Sequence, residues 1–247
     1  AILFAALNAR GKTIVTEPHL SRDHSEMMLS HFGVGLSREM LKDGRHRITL
    51  EGEVDLHAKD IFVPRDPSSA AFAIVAALIT DGSHITLPGI SLNPQRTGLI
   101  TTLKEMGGNI VIENKRIEGG EDVGDISVKS GPLYGIEVPA ERVASMIDEY
   151  PILSVAASCA RGKTYMPGIA ELRVKETDRI SVMTEGLKAC GVEVSETRDS
   201  MTVIGASTIK GGAKIASQHD HRIAMSFLVL GMVAQNPVIM LDVATIS

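Results

Sequence analysis

Small, apolar residues cluster in segments that recur along the chain at intervals of 70 to 80 residues. Each segment ends in a Gly or Asn-Pro turn, and a short strand-like run follows. This pattern predicts a buried helix, a helix stop and a β-strand. The four copies span 4–17, 74–89, 154–168 and 228–242.

Amphipathic segments that end in glycine follow the first three copies and lead into another strand. They span 25–37, 99–113 and 181–196. Their glycines stand at the predicted position just past the helix end, where a left-handed conformation costs least without a Cβ. These are Gly33, Gly107 and Gly191. One further strand then closes each unit, at 46–52, 125–131 and 200–206.

Together these segments predict a mixed α/β (α+β) fold built from repeated β-α-β-α-β-β units of about 65 to 75 residues. Two full copies span 65–133 and 134–209. The copy at 1–64 lacks its opening strand, and the copy at 210–247 lacks its second helix. We therefore expect an internal piece of a longer protein, incomplete at both termini.

Composition narrows the function classes. The chain has 247 residues, no Trp, 3% aromatic residues and a net charge of -5 from 25 basic and 30 acidic residues. Such a chain has neither a polybasic surface nor stacking aromatics for nucleic acid or an anionic membrane. It has no apolar run of roughly 18 residues and no signal peptide, so we expect a cytoplasmic protein. Cys159 and Cys190 lie in apolar contexts and are expected to be thiols.

Polar clusters recur at two places in the repeat, and both are predicted helix N-termini. One set precedes the apolar helices, at 65–72, 146–153 and 219–227. The other precedes the amphipathic helices, at 20–26, 93–98 and 173–179. Free backbone N–H groups make helix N-termini natural anion sites. If the repeats pack in register, these loops converge on one edge.

That convergence predicts a charged cleft. Arginine binds phosphate and carboxylate through two hydrogen bonds, and a neighbouring carboxylate or lysine can transfer protons. A doubly anionic substrate and acid–base chemistry follow from such a set, formed by Arg22, Asp148, Lys175, Glu176, Arg179 and Arg222. The alternative is that 173–179 is only a capped helix start with surface ion pairs. Three matching clusters weigh against that alternative.

Two other motifs do not support a site. The "GKT" at 11–13 and 162–164 lacks the first glycine of a P-loop, because Ala6 and Ala157 stand there, and it runs from helix to strand. The "HDH" at 219–221 has no second His or Cys pair at ligand spacing. A structural or hydrogen-bonding role is therefore expected for it rather than a metal site.

Five segments together carry a resemblance to a known family: "RVKETDRI", "DHRIAMSFLVLG", "MIDEYPILSVAA", "DPSSAAF" and "NPQRTGLI". They resemble 5-enolpyruvylshikimate-3-phosphate synthases, especially the bacterial class noted for glyphosate tolerance, and the likeness covers essentially the whole chain. It implies a two-domain enolpyruvyl transferase fold. Residues 1–64 would be the remainder of the domain that grips shikimate 3-phosphate, and 65–247 most of the second. Arg65 stands where that family usually has Gly.

The resemblance also implies a transferase of aromatic amino acid biosynthesis. The 5-hydroxyl of shikimate 3-phosphate adds to C2 of phosphoenolpyruvate, C3 is protonated, and the tetrahedral intermediate loses phosphate. The resemblance implies neither a metal nor an organic cofactor. It implies shikimate 3-phosphate and phosphoenolpyruvate as partners, glyphosate as an inhibitor to be tested, and a monomer at full length.

Residue roles follow from the same resemblance. Asp148 and Glu176 would be the proton-transfer carboxylates, and Lys175 would lie between them and the sugar-like substrate, serving both catalysis and binding. The phosphoenolpyruvate would be held by Arg179 and Arg222. The 3-phosphate of shikimate 3-phosphate would be bound by Ser21 and Arg22.

Two other functions stay open at this point. One is the sister enolpyruvyl transferase that acts on UDP-N-acetylglucosamine, which has the same fold. The other is a catalytically dead, anion-binding fragment. Because much of the cleft would lie outside these residues, we expect little or no turnover from this chain alone.

Overall fold

The computed structural model describes residues 1–18, 20–242 and 244. Residues 243 and 245–247, at the C-terminal end of the predicted copy that spans 210–247, lie outside the described residues. The first repeat consists of α1 (Ile2–Ala6), β1 (Lys12–Glu17), α2 (His24–His31), β2 (Leu36–Met40) and β3 (His46–Glu51). The second consists of α3 (Pro67–Ile79), β4 (His84–Ser91), α4 (Gly98–Glu105), β5 (Asn109–Glu118) and β6 (Glu121–Lys129).

The third and fourth repeats continue the same order. The third contains α5 (Tyr150–Ser158), β7 (Lys163–Met166), α6 (Arg179–Ala189), β8 (Glu193–Glu196) and β9 (Met201–Ile204). The fourth contains β10 (Ile209–Gly211), β11 (Lys214–Ile215), α7 (His221–Gly231), β12 (Ala234–Asn236) and β13 (Ile239–Met240). Short 3-10 turns lie at Ala140–Ser145, Ile147–Glu149 and Ala170–Val174. The predicted fold class and repeat order are confirmed.

The sheets share one topology. In each of the first three repeats the closing strand lies in the middle, antiparallel to both neighbours, in the orders β1-β3-β2, β4-β6-β5 and β7-β9-β8. The opening strand of a repeat pairs in parallel with the strand that follows the apolar helix. In the second repeat this pairing is a single bridge between Arg65 and Ile90. In the fourth repeat it consists of two strand pairs, β10-β12 and β11-β13.

Glycine ends the amphipathic helices as predicted. Gly33, Gly107 and Gly191 have φ values of 90°, 92° and 84°, which side chains with a Cβ rarely adopt. The residue after each glycine donates its N–H to a carbonyl five positions back, for example Val34 to Leu29 at 3.0 Å. This bond is the mark of a Schellman ending, and it turns the chain into the next strand.

The core is built around the three longer apolar helices, α3, α5 and α7, which pack against one another. All nine residues of α5 are buried, because this helix lies between the other two and a sheet. A second, smaller core lies in the first repeat and contains Leu3, Ala6, Leu29, Val34, Ile48 and Leu50. The two cores fall on either side of the predicted boundary after residue 64. The division into two domains, at 1–64 and 65–247, stays a prediction.

Polar contacts join the first repeat to the rest of the chain. The Nδ1 atom of His24 lies 2.6 Å from Oε1 of Glu121 at the tip of the β5–β6 hairpin. The side-chain amide of Asn93, which is 1% exposed, donates to Asp23 at 2.8 Å. Both contacts hold the start of α2 against the second repeat.

Arg65 is accommodated without strain, because its φ is not positive. Its N–H donates to the Gly89 carbonyl at 2.9 Å, and its guanidinium donates to the Pro88 carbonyl at 3.1 Å. The predicted thiols, Cys159 and Cys190, are unbonded to each other, as expected. No helix in the described part of the chain has the length and apolar character to cross a membrane.

Candidate active site

Asp148 lies at the centre of a group of cationic side chains. Its side chain is 19% exposed, at the end of the loop that leads into α5. Oδ2 is 3.1 Å from Nη2 of Arg22 and 3.9 Å from Nη2 of Arg222. Oδ1 is 3.3 Å from Nη1 of Arg179 and 3.8 Å from Nζ of Lys175. The predicted convergence of these side chains is therefore present in the structure.

Helix N-termini create this convergence. The first turns of four helices meet at one edge, because each helix has its N-terminal end toward the cluster around Asp148. These helices are α3, α5, α6 and α7. Aspartate caps three of these helices through backbone N–H groups. The caps are Asp66 for α3, Asp178 for α6 and Asp220 for α7. Each cap fixes where its helix begins and hence where the next side chains point.

The surroundings of Asp148 act on its pKa in two directions. Burial raises the pKa, whereas the charges of Arg222, Lys175 and Arg179 and a hydrogen bond from Arg22 lower it. The combined effect of the cations is larger than that of burial, so the pKa of Asp148 lies below its ordinary value of 3.8. Asp148 is therefore a carboxylate at neutral pH, which can accept a proton from a hydroxyl group brought against it.

Arg179 is the most deeply buried cation of the cluster, with 1% of its side chain exposed. Its Nε donates to Oδ2 of Asp220 at 2.7 Å, and Asp220 is fully buried. Its Nη2 donates to Oε2 of Glu176. These contacts fix the guanidinium rigidly beside Asp148.

Lys175 and Glu176 lie on the solvent side of the same cluster. Nζ of Lys175 donates to Oε1 of Glu171 at 2.6 Å and stays 3.8 Å from Asp148. The side chain of Glu176 is 52% exposed although it is bonded to Arg179. An incoming ligand would therefore meet these two side chains before it reached Asp148.

The charged segment 171–180 contains two groups of residues with different tasks. Arg173 bonds Asp178 at 2.8 Å and the backbone carbonyls of 197 and 198, so it fixes the loop before α6. Lys175, Glu176 and Arg179 instead belong to the cluster around Asp148. The capped-helix explanation thus holds for Arg173 and Asp178, and the cleft explanation for the others.

Ser21 lies beside Arg22 but bonds elsewhere. Its hydroxyl donates to Oε1 of Glu17 at 2.7 Å. Arg22, with 42% of its side chain exposed, extends across to Asp148 from the first repeat. Arg22 is therefore the residue through which this part of the first repeat contacts the cluster, whereas Ser21 bonds Glu17.

Sequence reasoning missed several residues that hold the cluster together. Glu149 bonds Arg222 and Ser68, Asp220 bonds Arg179, and Glu171 bonds Lys175. Their signal was weak because each lies within a segment where a capping or surface role explains it equally well. Only Asp220, directly before an apolar helix, could have been found as a cap.

The "HDH" segment has the hydrogen-bonding role that we predicted. Asp220 caps α7 and binds Arg179. The backbone before it is held in left-handed conformations at Gln218 and His219, with φ values of 53° and 65°, and the His219 N–H donates to Asp242 at 3.1 Å. Within 1–18, 20–242 and 244, no group of three or more His, Cys, Asp or Glu side chains could hold a metal ion.

Known proteins of one family resemble the chain along its whole length. The sequence profile of EPSP synthase (3-phosphoshikimate 1-carboxyvinyltransferase) matches residues 1–247. The 3-phosphoshikimate 1-carboxyvinyltransferase of Cereibacter sphaeroides is 55% identical over 247 residues, which is 100% of this chain and 55% of that protein. That of Granulibacter bethesdensis is 56% identical over 249 residues, with the same coverage.

Solved structures agree. The EPSP synthase of Acinetobacter baumannii superposes with a TM-score of 0.93 at 44% identity, over 99% of this chain and 56% of that one. The enolpyruvyl transferase NikO of Streptomyces tendae, at 18% identity and a TM-score of 0.73, covers 98% of this chain and 53% of its own and shows the fold alone.

The fold places the chain among the enolpyruvyl transferase-like proteins. The chain belongs to the EPSP synthase family. It spans about 55% of the length of the curated relatives it matches.

Proposed function

We propose that this chain supplies one side of the active site of an enzyme that transfers the enolpyruvyl group of phosphoenolpyruvate to the 5-hydroxyl of shikimate 3-phosphate. The observation that carries the proposal is the half-buried Asp148 carboxylate with four cationic side chains around it. Two anionic substrates need such cations, and the proton transfers need a carboxylate among them.

Proton movements can be assigned to the two carboxylates. As the 5-hydroxyl oxygen bonds to C2 of phosphoenolpyruvate, its proton passes to Asp148, which is ionised at neutral pH. C3 takes up a proton from Glu176, whose side chain is half exposed. Glu176, left as a carboxylate by that step, then takes a proton back from the C3 methyl group as phosphate leaves the tetrahedral intermediate, which gives the enolpyruvyl product. Lys175, with its Nζ 3.8 Å from Asp148, is a source of positive charge beside that carboxylate.

Binding roles follow from position. Arg179 and Arg222 lie on either side of Asp148 and suit the anionic groups of phosphoenolpyruvate. Ser21 and Arg22 belong to 1–64 and suit the 3-phosphate of shikimate 3-phosphate. We propose that 1–64 grips this substrate and that 65–247 carries the proton-transfer residues, with closure of the two around the ligands.

Finer properties are also part of the proposal: membership of the glyphosate-tolerant bacterial class, a cytoplasmic location and a monomeric full-length enzyme. The resemblance of the five motifs supports them. Glyphosate competition against phosphoenolpyruvate tests the class. Displacement of phosphoenolpyruvate by glyphosate at equal concentrations would argue for a sensitive enzyme instead.

Calorimetric titration of this chain with phosphoenolpyruvate and shikimate 3-phosphate tests the function. We expect phosphoenolpyruvate binding that falls at least tenfold in Arg222→Met, because a charge-assisted contact is lost. The exposed Arg161→Met is the matched control and should leave binding unchanged. We expect phosphate release near background from this chain alone. Binding of UDP-N-acetylglucosamine without shikimate 3-phosphate would favour the sister transferase, and no binding of any of these ligands would contradict the proposal.

A further inference from the structure

Two consecutive carboxylates at the start of α5 have different partners. Asp148 faces the cations of the cleft, whereas Glu149 is 4% exposed and turns inward. Oε1 of Glu149 accepts a hydrogen bond from the Ser68 hydroxyl and another, at 3.3 Å, from Nη1 of Arg222. A buried carboxylate is costly unless it is paired in this way, so its partners indicate what it does.

Arg222 is held on one side by these contacts. Its Nη1 donates to the Asp148 backbone carbonyl at 3.1 Å and to Glu149 at 3.3 Å. Its Nη2 lies 3.9 Å from the nearer Asp148 carboxylate oxygen, beyond hydrogen-bonding distance. Among the described residues, both hydrogen bonds of this guanidinium thus come from Nη1. The Nη2 edge stays available to an anion in the cleft.

Ser68 supports Glu149 from α3. This serine is 3% exposed and lies in the first turn of that helix. Its oxygen accepts a hydrogen bond from Nη2 of Arg96 at 2.9 Å, and Arg96 also bonds the helix cap Asp66 at 2.6 Å. The single hydroxyl proton of Ser68 is therefore donated to Glu149, because a guanidinium such as that of Arg96 can only donate.

We propose that Glu149 is a positioning residue, which with Ser68 fixes the Arg222 guanidinium so that its Nη2 edge faces the anionic substrate. Without Glu149, Arg222 would keep one backbone acceptor and could rotate to pair with the Asp148 side chain. That pairing would occupy both the substrate-binding cation and the proton acceptor. The role of the Nη2 edge toward the substrate rests on the proposed function, whereas the effect of Glu149 on Arg222 does not.

Arginine side-chain NMR of the 15N-labelled chain measures this effect directly. Rotation about the Cζ–Nε bond of Arg222 exchanges its two Nη groups, and Arg222→Lys identifies its signals. We expect rotation at least fivefold faster in Glu149→Gln and Ser68→Ala than in the parent chain. Matched controls are the exposed Glu141→Gln and the neighbouring, exposed Ser69→Ala, which should leave Arg222 unchanged. Since Gln preserves shape, Glu149→Gln should fold, and Ser68→Ala provides a second test.

Unchanged Arg222 rotation in both Glu149→Gln and Ser68→Ala would overturn the proposal, whatever their stability. Equal acceleration at all arginines would overturn it as well, because that result means general loosening. Titration with phosphoenolpyruvate is the separate functional arm. We expect about tenfold weaker binding in Glu149→Gln and none of this loss in Glu141→Gln. If the parent chain does not bind phosphoenolpyruvate, the proposed function fails while the NMR result still decides the role of Glu149.

Discussion

Residues 1–64 and 65–247 contain the same repeated elements, yet they bury them differently. Helix α1 has two buried residues out of five, Leu3 and Ala6, whereas every residue of the equivalent helix α5 is buried. The difference arises because α5 packs against α3 and α7, while the main contacts of α1 in the described part of the chain are with β1 and β3 of its own sheet. The repeat pattern therefore sets local structure, and the neighbours set how much stability each copy gains.

The cleft lies between these unequal regions. Asp148, Lys175, Arg179 and Arg222 belong to the larger core region, and Arg22 comes from the smaller one. We expect the larger region to hold its charges rigidly and the smaller region to move more readily.

Breaking the buried ion pair of the larger region should cost the most. Arg179→Met leaves the fully buried Asp220 without its cation, and we expect a loss of about 3–5 kcal/mol in the free energy of unfolding. Urea unfolding of the larger region measures it. The double variant Arg179→Met/Asp220→Asn should recover part of the loss, since Asn still caps α7 and carries no buried charge.

A matched control lies in the smaller region. Arg10 pairs with Glu53 at 3.2 Å, but 90% of the Arg10 side chain is exposed. Arg10→Met should leave unfolding almost unchanged. An Arg179→Met variant as stable as the parent chain would show that the pair contributes nothing to the rigidity of the larger region.

Equivalent glycines allow the two regions to be perturbed in the same way. A Cβ at Gly205 would lie 1.7 Å from the Ala160 carbonyl oxygen, and a Cβ at Gly52 would lie 1.8 Å from that of Ala9. Each Gly→Ala change should cost about 1–3 kcal/mol, because backbone must move. In hydrogen exchange, Gly52→Ala should remove protection from β1–β3 alone, whereas Gly205→Ala should weaken the whole larger region.

Gly131 is the control in the second repeat, because a Cβ there meets no atom within 4 Å. Gly131→Ala should leave exchange unchanged. If Gly52→Ala also exposed α3, α5 and α7, the two regions would unfold as one unit and the proposed difference would be wrong.

Acid should weaken the contact around Asp148. Its folded pKa lies below the ordinary 3.8, so its stabilisation is present above that value and is lost as pH falls through the folded pKa. Asp148→Asn should therefore lower stability near neutral pH and flatten the acid limb below about pH 4. Urea unfolding at several pH values measures the slope of the free energy of unfolding against pH.

The contribution of Glu149 to stability should change with pH in the opposite direction. Burial raises its pKa above 4.5, against the opposing effects of Ser68 and Arg222. Its contribution is thus fully present below pH 4.5 and is lost as pH rises through the folded pKa. Glu149→Gln should change the slope in the direction opposite to Asp148→Asn. The same direction for both would show that their surroundings are not distinct.

Removing Arg22 should have the smallest effect. Its side chain is 42% exposed, so Arg22→Ala should change stability by about 0–1 kcal/mol and less at high salt. Hydrogen exchange should report slightly faster opening of 1–64 and no change in α5. Faster exchange in α5 would instead mean that Arg22 stabilises the larger region.

Much of the fold was predictable because its signals are local. The glycines that end α2, α4 and α6 need positive φ, and the small apolar residues of α3, α5 and α7 indicate helices that lie largely inside the core. The site was predictable only as a set of helix N-termini. Glu149 was missed because a glutamate beside an apolar run has no local signal of burial, and Ser68 was missed because a helix-start serine usually caps or faces water.

The sequence by itself therefore determined the repeated elements, their ends and the family to which the chain belongs, since helix stops and apolar periodicity depend on neighbouring residues. Only the tertiary structure decided which charges meet. Arg22 and Asp148 are 126 residues apart in the chain, and their contact at 3.1 Å depends on how two unequal cores pack. It also decided that Arg179 and Glu149 lie inside, because burial depends on what other repeats place over a side chain.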